Sequence, residues 1–538
     1  MTSSARTYEE AYASFRWRIP ERFNIAEAAC DRHVGSNNAA IIFETNTGIS
    51  EMTFEHLQEQ SRRLANALSA HGVVRGDRIG ILLPQCPETV IAHLAAYRLG
   101  AIALPLFTLF GPDAIEYRLN DSGAKAVLSN AGGIEKLLEV AGHLKAPPLL
   151  ISIDERCDGG VLDWPMLIAR ASPDHAIVDT QAEDPAIIVY TSGTTGNPKG
   201  VLYAHRVLLG HLPGVEFPHE FFPQPGDRMW TPADWAWAGG LMDVLLPSLF
   251  HGIPVVAKRL QKFDPEEAFS LLARHRVRNA FMPPTALKMM RQVTRPRERL
   301  GYSMRSIASG GERLGDEMLD WGRDVFGLTM NEFYGQTEAN LTVGNCASIM
   351  PLKHGSMGRA MPGHVVEIVD DDGNIVAPGT TGTIAVRAPD SVFFLRYWNK
   401  PEATAEKFLN GWLLTGDTGV RDEDGYFWFH ARNDDVIISG GYRIGPSEIE
   451  ECLMAHPAVA MVAAVGVPDP VRGEVVKAFI VPRGGVTVDE ALRADVQAYV
   501  KTRLSAHEYP RQIEFRDSLP MTITGKIRRM DLREEVRS

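Results

Sequence analysis

The chain has only five cysteines in 538 residues, at Cys30, Cys86, Cys157, Cys346 and Cys452, scattered and with no C-x-x-C pair. That excludes a disulfide frame and a cysteine-built zinc site, and it fits reduced thiols in a cytoplasmic compartment. No apolar run approaches the about 20 residues that cross a bilayer. The stretch from Met1 to Arg18 lacks an apolar core and carries Glu9 and Glu10, so neither a secretory signal nor a transit peptide is expected. Positive charge is also short: 55 Lys and Arg against 67 Asp and Glu leave a formal net charge of −12. Nucleic acid and anionic membranes both require a basic surface, so neither is expected as a partner. Low-complexity tracts and internal repeats are missing too.

What is present reads as a globular protein, with 45% hydrophobic and 23% charged residues. Its length is too great for one core, so at least two domains are expected. From Thr53 to Gly72, Phe54, Leu57, Leu64 and Leu68 share one helical face, with Thr53 as N-cap and Gly72 as the stop. Asp77 to Leu83 then reads as a buried strand, Glu88 to Leu99 as a helix and Ala101 to Leu106 as a strand, a βαβ unit. Such units recur at Lys125 to Leu128, Pro254 to Val256 with the helix Glu266 to His275, and Asn279 to Met282. The expected fold is therefore a large α/β domain with largely parallel sheets over residues 1–432. From about Gly363 the texture changes to short strands and turns, at Val365 to Val369, Asp371 to Gly373 and Thr383 to Val386, giving a β-rich part over 363–432.

Past Arg432 the pattern changes again. A strand at Asp435 to Ile438, a helix at Pro446 to Met454, strands at Val459 to Val467 and Val475 to Val481, and a helix at Val486 to Leu504 predict a small α+β domain. It covers 433–538, with the boundary near Arg432 to Asp434.

The densest chemical signal is the run Tyr190-Thr191-Ser192-Gly193-Thr194-Thr195-Gly196-Asn197-Pro198-Lys199-Gly200, which follows the apolar strand Ala186 to Val189. Its glycines, hydroxyls and single lysine make a loop able to wrap a polyphosphate, with backbone N–H groups and hydroxyls as donors and Lys199 as counter-charge. It lacks the G-x-x-x-x-G-K-[ST] spacing, so P-loop chemistry does not follow. Alone, such a loop could equally be a surface turn.

At this string the sequence resembles the adenylate-forming superfamily of acyl-CoA synthetases, peptide-synthetase adenylation domains and luciferases, and the resemblance spans nearly the whole chain. Further motifs arrive in the family's order: Ser309-Gly310-Gly311-Glu312, Tyr334-Gly335-Gln336-Thr337-Glu338, Thr415-Gly-Asp417, Arg432-Asn-Asp434, Ser439-Gly440-Gly441-Tyr-Arg443 and Thr524-Gly-Lys526. The segments Phe15-Arg-Trp17 and Phe23 to Glu27 are similar to short- and medium-chain acyl-CoA synthetases.

The resemblance implies ATP, Mg²⁺ and coenzyme A. Thr191, Ser192, Gly193, Thr194, Thr195, Gly196 and Lys199 would hold phosphates, and Gly311 and Glu312 would contact adenine. Tyr334 offers a flat face for the base, with Gly335 and Gln336 beside it. Thr337 would donate to the α-phosphate. Glu338 is a hard oxygen ligand suited to Mg²⁺. Asp417 and Arg432 would bind the ribose, while Gly440, Gly441 and Arg443 would meet the coenzyme. Taken alone, Glu338 and Asp417 would be solvated carboxylates and Tyr334 a core aromatic. Trp235 and Trp237 either line the acyl pocket with Gly310 and Gly335 or simply pack in the core.

The family's mechanism gives Lys526 an electrostatic task in adenylation. A swing of the small domain about Asp434 would then exchange Lys526 for Gly440 and Gly441 during thioester formation. In the family's acetyl-CoA synthetases a tryptophan at the position of Gly335 closes the acyl pocket. Gly335 therefore implies room for carboxylic acids of three carbons or more, among them butyrate, isobutyrate and methylmercaptopropionate. A monomer or homodimer is expected, with a lysine acyltransferase as a further partner if acylation of Lys526 removes its charge. The main alternative is an amino-acid adenylation enzyme that loads a carrier-protein thiol.

Overall fold

The structure is a computed structural model that describes residues 5–154, 160–191, 198–260, 262–311, 314, 316–432, 437–444, 446–505, 508–520, 527 and 529–537. The fold is a large N-terminal α/β domain followed by a small C-terminal domain.

Two sheets dominate the large domain. Among the described residues, the first has nine strands and a parallel centre, formed by Ala39–Thr45, Val255–Lys258, Met229–Trp230, Asn279–Phe281, Ser306–Gly310 and Asn331–Gln336. Antiparallel strands close its edges, Gly48–Thr53 on one side and Ala339–Gly344 with Arg359–Ala360 on the other. The second sheet, eight strands among the described residues, is parallel through Ile102–Pro105, Arg78–Leu82 and Ala126–Ser129. Its strand Pro185–Thr191 lies parallel to Ile102–Pro105 and turns back antiparallel as Lys199–Ala204.

The local physics is that read from the sequence. Helix Phe54–Ala70 starts where the Thr53 hydroxyl accepts the His56 N–H at 3.3 Å, and Phe54, Leu57, Leu64 and Leu68 are fully buried. Each such side chain contributes about 1.5–3 kcal/mol on burial. The β-rich part pairs Val366–Val369, Gly382–Arg387, Trp412–Arg421 and Phe427–Arg432 antiparallel in that order.

In the small domain Val459–Asp469 and Gly473–Pro482 form a long antiparallel hairpin, flanked by Ile437–Ser439 and Gln512–Phe515 and covered by helix Pro446–Met454. The helix expected from Val486 begins at Glu490 instead. Asp489 caps it, accepting the Leu492 N–H at 2.9 Å, and Gly485 with φ +84° holds the chain in a turn before it. The second core cluster runs across both domains, joining Phe107, Phe110, Ile115 and Tyr190 to Ile437, Ile444, Leu453 and Leu504.

Candidate active site

The glycine-rich string lies between two paired strands: Thr191 opposes Lys199 and Tyr190 opposes Gly200. Its described ends thus sit on the two strands of an antiparallel pair, unlike the strand and helix that flank a P-loop. Ser192, Gly193, Thr194, Thr195 and Gly196 lie outside the described residues, as do Glu312, Asp434 and Lys526, and Arg432 and Arg443 are described in backbone alone.

The tyrosine motif forms a hairpin. Asn331–Gln336 returns as Ala339–Gly344, with Gln336 opposite Ala339 and Thr337-Glu338 at the turn. Both turn residues are held by tyrosines from elsewhere. The Tyr203 hydroxyl donates to the Thr337 carbonyl, and the Tyr397 hydroxyl donates to the Glu338 carboxylate. Tyr203 is fully buried. Burial first, and then the charges of Glu338 and Asp243, hold its phenol well above its usual pKa, so it remains a donor. The Lys199 ammonium lies 5.2 Å from the centre of the Tyr397 ring, a cation–π distance. One tyrosine therefore ties the lysine of the first strand pair to the carboxylate of the hairpin. Sequence reasoning missed both tyrosines: neither lies in a motif, and each looks like an ordinary core aromatic.

Above this turn the Tyr334 hydroxyl donates to Asp417 Oδ2 at 2.6 Å, and Gln336 Nε2 donates to the same oxygen. Asp417 is 2% exposed. Its backbone N–H donates to the Thr415 hydroxyl at 3.1 Å, and Thr415 donates in turn to the Ile384 carbonyl at 2.7 Å. Strand register sets Arg432 directly opposite Asp417. Tyr334, Gln336, Asp417 and the Arg432 backbone thus converge from two separate sheets.

The acyl end is aromatic. Trp237 packs against Phe281 at 5.7 Å between ring centres, and Phe281 stacks on Phe333 at 5.3 Å. Gly310 needs its missing side chain here, because a Cβ would meet the Phe333 ring and its carbonyl. Trp235 is fully buried in the main core, whereas Trp237 is half-buried beside Gly311. Asp234, just before them, has its carboxyl pushed up to about 6 by burial, against the opposing effect of the Ala236 N–H bonded to it at 2.8 Å.

One expectation needs correction. No void replaces a side chain at Gly335: a Cβ there would overlap the Leu341 backbone nitrogen and lie 2.8 Å from Asn340 Cα. The strands shift register between Tyr334 and Gln336, and Leu341 has φ +55°. Glycine is required at 335 by that backbone approach, not by an opened acyl pocket.

From the small domain, Gly440 and Gly441 arrive at this same end. Both are left-handed, with φ +61° and +78°, a conformation that favours glycine. A Cβ on Gly441 would sit 3.4 Å from Pro283, one on Gly440 would sit 3.8 Å from Thr285, and one on Gly311 would come within 4.0 Å of the Gly441 carbonyl oxygen. Next to them, Arg472 accepts the Gly440 N–H through its carbonyl at 2.8 Å. Burial first, then the neighbouring Arg511, lowers the pKa of the Arg472 guanidinium, and Arg511 lies 4.9 Å from the Tyr509 ring centre. Like charges held together beside an aromatic ring suit a phosphorylated, base-bearing ligand.

Comparison with known proteins agrees with this geometry. Residues 27–398 match the family model described as AMP-binding enzyme, and 448–526 match its C-terminal domain. The chain is 36% identical to the rat mitochondrial acyl-coenzyme A synthetase ACSM3, over 98% of this chain and 93% of that one. It is 33% identical to the Bacillus subtilis acetyl-coenzyme A synthetase, over 98% and 95%. A Brucella canis acyl-CoA synthetase structure superposes with a TM-score of 0.75 at 34% identity, covering 99% of both chains. The amide bond synthetase McbA from Marinactinospora thermotolerans gives 0.84 at 26%, covering 95% of this chain and 99% of that one. The chain belongs to the AMP-binding enzyme family. Within it, the chain is an acyl-CoA synthetase, an acid–thiol ligase that uses ATP, Mg²⁺ and coenzyme A.

Proposed function

We propose that the enzyme acts on aliphatic carboxylic acids of three carbons or more, including branched acids and methylmercaptopropionate, a reading supported by the likeness of Phe15-Arg-Trp17 and Phe23 to Glu27 to short- and medium-chain acyl-CoA synthetases rather than by Gly335. A carboxylate oxygen attacks the α-phosphorus of ATP, the bond to pyrophosphate breaks, and the acyl-adenylate forms. A coenzyme A thiolate then attacks the acyl carbonyl, and the C–O bond to AMP breaks. No side-chain nucleophile is needed, so catalysis consists of positioning and charge neutralisation. Glu338, a carboxylate on a turn beside Lys199, fits the oxygen chemistry of Mg²⁺, which when bound offsets phosphate charge. Thr337 is the α-phosphate donor, Tyr334 and Asp417 hold the nucleoside, and Arg432 reaches the ribose. The acid lies along Trp237 and Phe281.

One observation carries the two-step reading: Gly440 and Gly441 stand against Pro283, Thr285 and Gly311, where a thiol must approach the acyl carbonyl. On this reading the arrangement described above is the thioester-forming one. Residues 1–432 and 433–538 turn about Asp434, and Lys526 enters only for adenylation. Acylation of Lys526 by a lysine acyltransferase would then stop the first step alone. The enzyme works in the cytoplasm as a monomer or homodimer.

The test is AMP release from ATP over acetate, propionate, butyrate, isobutyrate, hexanoate, methylmercaptopropionate, benzoate and several amino acids, with and without coenzyme A. Coenzyme-A-dependent turnover on aliphatic acids longer than acetate is expected. Turnover confined to amino acids, or indifferent to coenzyme A, would overturn the proposal.

A further inference from the structure

We propose that Gly111, Arg118 and Glu508 are positioning residues for thioester formation: they seat the small domain in the orientation that brings Gly441 to the acyl end. The inference rests on the two-arrangement reading above.

The contact borders the site, since the Arg118 guanidinium lies 5.8 Å from the ring centre of Tyr190 at the start of the glycine-rich string. Small-domain residues Arg503 to Ser505 press on the start of the large-domain helix Pro112–Ser122. Phe110 and Ser505 form an isolated antiparallel bridge, and the Gly111 N–H donates to the Leu504 carbonyl. Arg503 Nε stands 3.6 Å from Asp113 Oδ2. A Cβ on Gly111 would overlap the backbone carbonyl of Arg503 and the Thr502 oxygen. Yet Gly111, with φ −77° and ψ 172°, has a conformation any residue adopts. Its own backbone therefore does not call for glycine. The approach of the other domain does.

Behind the bridge two opposite charges lie under cover, one on each domain. Arg118 is 2% exposed and Glu508 is 4% exposed. The Arg118 guanidinium lies 4.0 Å from the Phe110 ring centre and donates to the Ala114 carbonyl at 2.8 Å. The Ser505 hydroxyl donates to Glu508 Oε2 at 2.8 Å. Burial raises the Glu508 carboxyl, and the Arg118 charge is the foremost influence opposing it. Opposite charges buried on the two sides of a domain contact add little net stability, because desolvation offsets the attraction, but losing one leaves the other uncompensated, so their effect is to fix one register. In the same orientation Phe107 meets Tyr442 edge-to-face at 6.1 Å.

Any rotation that removes Gly441 from the acyl end separates the contacts that cross between the domains: Phe110 with Ser505, Gly111 with Leu504, Arg503 with Asp113 and Phe107 with Tyr442. Substitutions among them therefore bias one arrangement and leave the other untouched. The discriminating variant is Gly111→Ala in the full-length enzyme, because alanine is compatible with the Gly111 backbone and the atoms nearest the added methyl all belong to the docked small domain. Two half-reactions are measured: acid-dependent exchange of labelled pyrophosphate into ATP, and single-turnover thioester formation from supplied acyl-adenylate and coenzyme A. Thioester formation is expected to fall at least about tenfold while exchange stays within about twofold. Glu508→Gln should fall in the same direction by less, and Glu508→Asp should restore part of the loss. Equal loss in both half-reactions would reduce these residues to structural ones, and no loss in either would remove the contact from the reaction; each result overturns the proposal. Lys526→Ala is the control. If it does not split the half-reactions in the opposite sense, the two-arrangement reading fails; if it does and Gly111→Ala does not, this proposal alone fails.

Discussion

Tyr397 shows how a site assembles around a residue that no motif marks. Its hydroxyl orients the Glu338 carboxylate and its ring faces the Lys199 ammonium, so it holds both groups proposed to act on the phosphates. Partners that orient a ligating side chain are worth about 10–100-fold when removed. Tyr397→Phe is expected to lower acyl-adenylate formation within that range and to raise the Mg²⁺ concentration for half-maximal rate. Thioester formation from supplied acyl-adenylate should be spared, and a Mg²⁺ titration of the exchange reaction checks both. Glu338, Asp417, Thr337 and Lys199 were legible in the sequence because each sits in a short string of fixed order. Tyr203 and Tyr397 were not, because a phenol in an apolar stretch looks the same whether it packs or donates. Gly335 was legible as a motif residue but misread in cause: the missing side chain makes room for the Asn340–Leu341 backbone. Gly335→Ala is therefore expected to destabilise the fold by about 1–3 kcal/mol through overpacking, measured as a lower urea midpoint. An unchanged midpoint with altered acid preference would restore the open-pocket account.

Strands and helices carry the site by joining separate parts of the sheets, and one charge cluster shows how. Glu44, next to last in the strand Ala39–Thr45, accepts from Lys258 Nζ at 2.8 Å and from Arg274 Nε at 3.0 Å, with His275 bonded as well. It so ties its strand to Val255–Lys258 and to helix Pro265–Arg274. Burial pushes the Glu44 carboxyl up, but bonds from Arg274, Lys258 and His275 outweigh it and hold the group at about 2, against an ordinary 4.5. A depressed carboxylate contributes stability that is complete above 4.5 and is lost as pH falls toward 2. Glu44→Gln leaves Lys258 and Arg274 with Glu267 as their remaining carboxylate and should cost about 1–3 kcal/mol at neutral pH, read from urea unfolding. At this scale the sequence was most legible. Periodicity located the helix and strands of the first βαβ unit to within a residue or two, since apolar spacing is a local property. The start of helix Glu490–Arg503 was missed because its cap, Asp489, lies inside the apolar pattern that suggested an earlier beginning.

The relation between the domains was not legible at all, because Glu508 stands nearly 400 positions from Gly111 and Arg118 and shares no pattern with them. The response of the whole molecule to acid can be argued from burial. His93, His205 and His219 are fully enclosed, and burial, the foremost cause in each, lowers them to about 3; His211 is lowered likewise to about 4. Their bonds suit the neutral ring: His205 Nδ1 accepts the Ile25 N–H at 3.2 Å, and His211 Nδ1 donates to the Val207 carbonyl at 2.8 Å. In the unfolded chain each titrates near its ordinary 6.5, so below that value the unfolded state binds more protons. Stability is then complete above about 6.5 and falls with pH, each histidine adding up to about 1.4 kcal/mol per unit, before most carboxylates respond. All nine tryptophans lie at or before Trp428, so their fluorescence reports the large domain that holds these histidines. The urea midpoint by tryptophan emission is expected to drop clearly between pH 7.5 and 5.5. A flat midpoint over that interval would mean that the four rings are not held neutral in the core, and His93→Phe, which removes one titration without leaving a cavity, should shallow the slope.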